Sequence, residues 1–289
     1  ISKKIISFYI YVNLSVMNKI LLSLLLLIII IVAVIYGPKA VRLYNLANLY
    51  DEDSIASNFI NIDKIFTVSE PIPAAERPYM FNKKAYELPE TYFFEGEEKN
   101  LQEALDHFKT DGLIVLHNGN MLYENYWHGN SVSSKHIAFS VSKSFLSALI
   151  GIAVGDGLID SIEDPVTKYI PDFNGTGYEG VRIKDILQMS SGVKFNEDYA
   201  DPKSDINIFG RAVARGSSFR DFSKTLEREK TPGTYHHYVS IDTQVLGFLL
   251  AEVTGVSVQD YLYEKIWNKI GMEQGAYYIT DNLGVEMAL

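Results

Sequence analysis

The chain has 289 residues, a formal net charge of −10 and a hydrophobic share of 47%. That length can bury one large core or two small ones, and an acidic balance without a basic groove or stripe excludes nucleic acid as an expected partner. With no cysteine, disulfides, thiolate catalysis and Cys-type zinc sites are excluded, and the six histidines lack His-Glu-x-x-His or comparable spacing, so no metal or other cofactor is expected.

The first residue is Ile1, and Met17-Asn18-Lys19 reads as a better start, which makes residues 1–19 an extension. Behind it, the run Ile20–Tyr36 has Ser23 as its one clearly polar residue. At about 1.5 Å per residue it spans roughly 25 Å, near the lower limit for crossing a bilayer core. It is longer than a signal-peptide apolar region, and no small-x-small pair follows it before Gly37-Pro38-Lys39. The expectation is an uncleaved single-pass anchor over residues 20–36, with a buried core helix as the alternative. Lys3, Lys4 and Lys19 precede the run and Lys39 and Arg42 follow it, so charge leaves the orientation open. An extracytoplasmic domain is the expectation.

Residues 37–70 read as a stalk or linker, and the compact domain is expected over 71–289. Pro71, Pro73, Pro78 and Pro89 forbid long helices, so the chain up to about residue 99 is expected to run extended over a surface. Asn100-Leu101-Gln102-Glu103 is a capping-box-like start for a short helix to about Lys109. Leu113–His117 and Met121–Trp127 flank Asn118-Gly119-Asn120, a strong β-hairpin signal.

Next comes Ser140-Val141-Ser142-Lys143. On a helix starting at Ser140 the two residues share a face, so the Lys143 amine reaches the Ser140 hydroxyl. Serine is a poor nucleophile by itself, and a neighbouring amine partly withdrawn from water is one way to activate it. The pattern alone is weak, because chance supplies Ser-x-x-Lys and a second match stands at Ser191-Gly192-Val193-Lys194. There Gly192 argues for a turn. Behind Ser140 the sequence VSKSFLSALIGIAVGD reads as a buried helix with apolar residues around much of its circumference, closed near Gly155 and Gly157. Ser140 is either the helix's N-cap or a nucleophile on a rigid support.

Further on, Asp164-Pro165-Val166 and Tyr169-Ile170-Pro171-Asp172 read as turns or short helices, and Arg182–Met189 as one short helix. Thr231-Pro232-Gly233-Thr234-Tyr235-His236-His237-Tyr238-Val239-Ser240 combines a Pro-Gly turn with a short aromatic strand, a way to hold one tyrosine hydroxyl at a cleft edge. Tyr238 beside a lysine amine is a candidate general base or acid, and a packing residue is the alternative among the chain's 19 tyrosines. Asp242 is a candidate cap for a helix from Thr243 to Thr254 closed by Gly255, and Ser257 for another to Ile270 closed by Gly271. A hairpin followed by helix-rich sequence predicts an α+β domain whose sheet is incomplete in this chain.

Five stretches together resemble the class C β-lactamase-related family of serine hydrolases, which spans β-lactamases, DD-peptidases, esterases and 6-aminohexanoate-dimer hydrolases. They are DGLIVLHNGNMLYENYWHG, HIAFSVSKSF, DGLIDSIEDPVTKYIPDF, VRIKDILQMSSGVKF and TPGTYHHYVSIDTQVLGFLLAEVTG, and the resemblance runs over roughly residues 70 to 289. It implies a β-lactamase/transpeptidase-like fold, an antiparallel sheet flanked by a mostly helical region. It also implies acylation of Ser140, a share in its activation for Lys143, Tyr238 as general base and the Ser140 N–H as one oxyanion donor. The implied reaction is cleavage of a small amide, ester or peptide through an acyl-Ser140 intermediate. A non-catalytic ligand-binding domain of the same penicillin-recognising fold is the alternative.

Two departures matter. β-Lactamases of the family usually carry Tyr-x-Asn, whereas Tyr238-Val239-Ser240 looks more like the 6-aminohexanoate-dimer-hydrolase and esterase branch. Ser240 is expected either to hydrogen-bond substrate or Lys143, or to serve the turn. The family's third motif, Lys/His-x-Gly on a core strand, lies well downstream of the tyrosine segment, and the chain stops at Leu289. The expectation is a C-terminally truncated record of a longer enzyme that lacks several strands and the second oxyanion donor.

Overall fold

The computed structural model describes residues 2–289, with the side chains of residues 2–18 and of Lys39 outside the described set. The expected extension, with Lys3, Lys4 and Met17, therefore lies outside the residues described in full. The chain divides into two compact units, residues 1–45 and 46–289.

The first unit is helical. Helix α1 spans Ser2–Ala47 and carries Pro38 within it rather than ending there. Its stretch Lys19–Ala47 has a mean hydropathy of 3.2 in its most apolar window, and that window is fully exposed. By length and composition the stretch is a candidate membrane span, as a signal sequence would also be.

The second unit departs from the expected stalk at once. Residues 46–66 fold into two short helices, α2 (Ile55–Phe59) and α3 (Ile62–Ile65). Leu49, Ile62 and Ile65 are buried in a small core of their own, packed against Leu46, Phe59, Phe66, Ile137, Tyr277 and Ile279. The prolines that follow bar long helices, but these short turns lie before them, and their apolar residues have a surface to cover.

A two-residue strand, β1 (Asn82–Lys83), is followed by a hairpin that the sequence reading did not anticipate, β2 (Thr91–Phe94) and β3 (Glu97–Asn100). Its turn is Glu95-Gly96, with φ of 53° and 83°, the left-handed pair that a two-residue hairpin requires. Helix α4 (Leu101–His107) starts as expected, with the Asn100 side chain accepting from the Glu103 N–H. Strands β4 (Gly112–His117) and β5 (Asn120–Tyr126) form the predicted antiparallel hairpin, turning on Asn118-Gly119 with φ of 49° and 74°. The sheet order is β1-β5-β4, and β1 runs parallel to β5. The architecture is α+β.

Helix α5 (Ser142–Gly155) buries Leu146, Leu149, Ile150 and Ala153 along one face. The helix buried around its circumference is instead α9 (Ser240–Thr254), where every residue from Ser240 to Leu250 is buried. Around this pair pack α6 (Ile183–Leu187), α7 (Asp205–Ala214), α8 (Phe219–Lys224) and α10 (Val258–Leu262). Ser204 and Ser218 cap α7 and α8 through their side chains. Gln244 on α9 donates to the Glu286 carbonyl at 3.0 Å and accepts from the Ala288 N–H at 2.9 Å, which pins the end of the chain to the core.

Candidate functional site

Ser140 sits in the turn that feeds α5. A 3₁₀ turn over Phe139–Val141 precedes the helix, so Ser140 lies one step before it rather than at its cap. Phe139 holds φ at +44°, a left-handed conformation that costs a non-glycine residue of order 1–2 kcal/mol. The Ser142 hydroxyl donates to the Phe139 carbonyl at 2.8 Å and fastens this turn. The Lys143 Nζ donates to Ser140 Oγ at 2.9 Å. The spacing of three residues thus places amine and hydroxyl together, as the sequence predicts.

Tyr238 arrives from another part of the chain. Its ring lies beneath Lys143, with Nζ 5.3 Å from the ring centroid, and the residue is 41% exposed. The expected short aromatic strand does not form, and Tyr238 lies on an irregular segment held by several contacts. The His237 N–H donates to the Met189 carbonyl at 2.8 Å, and His237 Nε2 lies 2.8 Å from the Phe195 carbonyl. Gly233, at φ +76°, lets the Pro-Gly turn pass the Arg182–Asp185 pair, of which Asp185 is buried, and a Cβ there would come within 2.8 Å of Asp185 Oδ1. The turn needs glycine there for both conformation and space.

Ser240 is turned away from the exposed face. It is 1% exposed. Its N–H donates to Glu197 Oε2 at 2.9 Å and its hydroxyl donates to Glu197 Oε1. The expected contact with substrate or Lys143 gives way to an anchoring one, because the hydroxyl already has a carboxylate partner. The Tyr199 hydroxyl donates to the same Glu197 oxygen at 3.2 Å. Glu197 is not singled out by the sequence. Its neighbours Asn196, Asp198 and Asp201 are polar or acidic as well, so the local sequence carries no signal that marks it out.

Asp242 does not cap α9 as expected. The helix begins two residues earlier, and Asp242 is fully buried, with Oδ1 accepting from the Tyr178 hydroxyl at 2.9 Å and Oδ2 without a partner among the described residues. Burial pushes its carboxyl up to about 7, against the downward pull of the Ser191 and Tyr178 hydroxyls. The second Ser-x-x-Lys match is the turn that the sequence suggests. Ser191 is buried, Gly192 has φ +77°, and no hydrogen bond joins Ser191 to Lys194.

The beta-lactamase family model matches residues 98–282, more than half of the chain. The chain belongs to the beta-lactamase family. Within it, the chain is 29% identical over 196 residues to a 6-aminohexanoate-dimer hydrolase of Paenarthrobacter ureafaciens, a match covering 65% of this chain and 50% of that protein. It is 32% identical over 122 residues to a provisionally assigned D-alanyl-D-alanine carboxypeptidase of Escherichia coli K12, covering 38% of this chain and 26% of that one. The chain thus spans half or less of the length of these curated relatives. A solved structure from Bacillus anthracis, provisionally assigned as a 6-aminohexanoate-dimer hydrolase, superposes with a TM-score of 0.75 at 24% identity, covering 83% of this chain and 66% of that one. That likeness carries the β-lactamase/transpeptidase-like fold.

Proposed function

We propose that this chain is a membrane-anchored serine hydrolase that cleaves an amide or ester through an acyl-Ser140 intermediate. The observation that carries the reading is the 2.9 Å hydrogen bond from Lys143 Nζ to Ser140 Oγ, with the Tyr238 ring against the same amine. Tyr238, with Lys143, takes the proton from Ser140 Oγ as that oxygen attacks the substrate carbonyl carbon. The carbonyl π electrons move to oxygen, where the Ser140 N–H is one donor to the developing charge. Collapse of that adduct breaks the C–N or C–O bond, and the leaving group departs with the proton. Water then attacks the acyl carbon, gives a proton back to the same base, and frees Ser140 and a carboxylic acid. Glu197 and Ser240 hold Tyr238 in register without touching substrate.

Two features support the substrate class and the location. The relative named as a 6-aminohexanoate-dimer hydrolase matches over 196 residues against 122 for the carboxypeptidase, and Tyr238-Val239-Ser240 departs from the Tyr-x-Asn of β-lactamases, so a linear amide or ester is favoured over a β-lactam. The exposed apolar stretch of α1 supports an anchor over Ile20–Tyr36, and the hydrolase unit, beginning near Leu46, is proposed to face the extracytoplasmic side. The test is turnover of a 6-aminohexanoyl amide and an aryl ester by the detergent-solubilised chain. Turnover that Ser140→Ala abolishes is expected, and turnover that survives this substitution overturns the reading.

A further inference from the structure

Tyr50 and Phe59 lie outside the stretch matched by the family model and yet gather on the residue next to Ser140. The Phe139 ring stacks against Tyr50, with centroids 6.2 Å apart and planes at 21°. Phe59 meets Phe139 edge-on at 5.1 Å and Tyr50 at 6.0 Å, so the three rings form a closed triangle. Tyr199 extends the patch, meeting Tyr50 edge-on at 6.4 Å.

The supports beneath these rings are specific. Leu49, the neighbour of Tyr50, is buried with Ile62 and Ile65, and Phe59 packs on that core from above. The Asn58 side-chain amide donates to the Asn48 and Leu49 carbonyls at 3.0 and 3.2 Å and fixes the turn that carries Tyr50. The Phe59 carbonyl accepts from the Ile137 N–H at 2.9 Å, which ties this segment to the stretch leading into Ser140. The outer surface is nevertheless open: Tyr50 is 52% exposed and Phe139 38%. Rings ordered at this expense and left half in water form an apolar surface with area still to bury.

We propose that Tyr50 and Phe59, closing on Phe139, form an apolar subsite for the acyl group, selecting substrates whose acyl part begins with an uncharged aliphatic or aromatic stretch of several carbons. This rests on acylation of Ser140. Phe139 and Ser140 are consecutive, with Cα atoms about 3.8 Å apart. Tyr199, which meets Tyr50, is also near enough to Tyr238 to interact with it electrostatically, so the patch borders the face that carries Ser140 and Tyr238. The leaving group departs in that step, and the acyl chain alone stays tethered there.

The experiment is kcat/KM of the full chain on p-nitrophenyl acetate, butyrate, hexanoate and octanoate. A half-exposed surface is expected to raise kcat/KM about twofold per methylene, on the order of tenfold from acetate to hexanoate. Tyr50→Ala is expected to shrink that ratio to within about threefold, and Tyr50→Leu to restore most of it by returning apolar area. Because Phe59 also packs on the segment's core, Phe59→Ala is read beside a thermal unfolding curve. A flat series in a chain that turns the esters over, with Ser140 acylated, overturns the subsite and leaves the nucleophile standing. A full gradient in Tyr50→Ala overturns it as well. A chain that neither hydrolyses any ester nor is acylated at Ser140 overturns the proposed function, and the subsite with it.

Discussion

Asp242→Asn is the most exacting probe of how this core is built. The carboxyl is buried at the start of α9 with no cation against it, and burial raises it to about 7 from the usual carboxylate value near 4. In the unfolded chain the group ionises near pH 4, and in the folded chain near pH 7. Between those values the folded state binds more protons, so stability falls as pH rises through this window. Three pH units at 1.36 kcal/mol each amount to about 4 kcal/mol, absent below pH 4 and complete above pH 7. Asparagine keeps an oxygen to accept from the Tyr178 hydroxyl, now 2.9 Å from Oδ1, and carries no charge. Urea unfolding of the wild-type and Asp242→Asn chains at pH 4, 5.5, 7 and 8 is the assay. The difference between them is expected to move by about 4 kcal/mol in favour of the variant from pH 4 to 7, then level off. A difference that stays constant with pH refutes the reasoning, since it would mean the buried carboxyl does not titrate across the window.

Lys143→Ala removes the amine from Ser140 and from Tyr238, and the loss of an activating group is expected to lower acylation by about 10²- to 10⁴-fold in single-turnover assays, with the melting temperature little changed. Tyr238→Phe keeps the ring under Lys143 and removes the hydroxyl, so a similar loss in kcat with KM nearly preserved is the expected result of steady-state kinetics. Gly192→Ala would drive a Cβ to 2.2 Å from the Lys230 carbonyl oxygen at a φ of +77°, and an expected loss above about 3 kcal/mol is read from urea unfolding.

The parts of this molecule governed by local chemistry were legible in the sequence. Asn118-Gly119 specifies its hairpin because two left-handed residues fit only that turn, and Asn100 specifies the start of α4 through a cap three residues long. The Ser140–Lys143 contact follows from a three-residue spacing across one turn, although the α-helix itself begins only at Ser142. What was not legible depends on residues far apart in the chain. Ser240 faces Glu197, forty-three positions away, so its hydroxyl turns inward where spacing alone left it free for substrate. Asp242 looks like a cap because aspartate often is, yet Val239 and Ser240 start the helix and leave the carboxyl buried. Residues 46–66 read as a stalk because the prolines beyond them dominate the pattern. Their three buried apolar residues, Leu49, Ile62 and Ile65, find a surface only when Ile137, Tyr277 and Ile279 are brought alongside.

The most direct test of the account is a mass measurement. The full chain, solubilised in detergent, is incubated with an alkyl fluorophosphonate, digested, and its serine-bearing peptides weighed. One adduct is expected, on Ser140, absent from Ser140→Ala and slowed by Lys143→Ala. A folded chain that takes no adduct, or takes it at Ser191 or elsewhere while Ser140 stays free, contradicts the account.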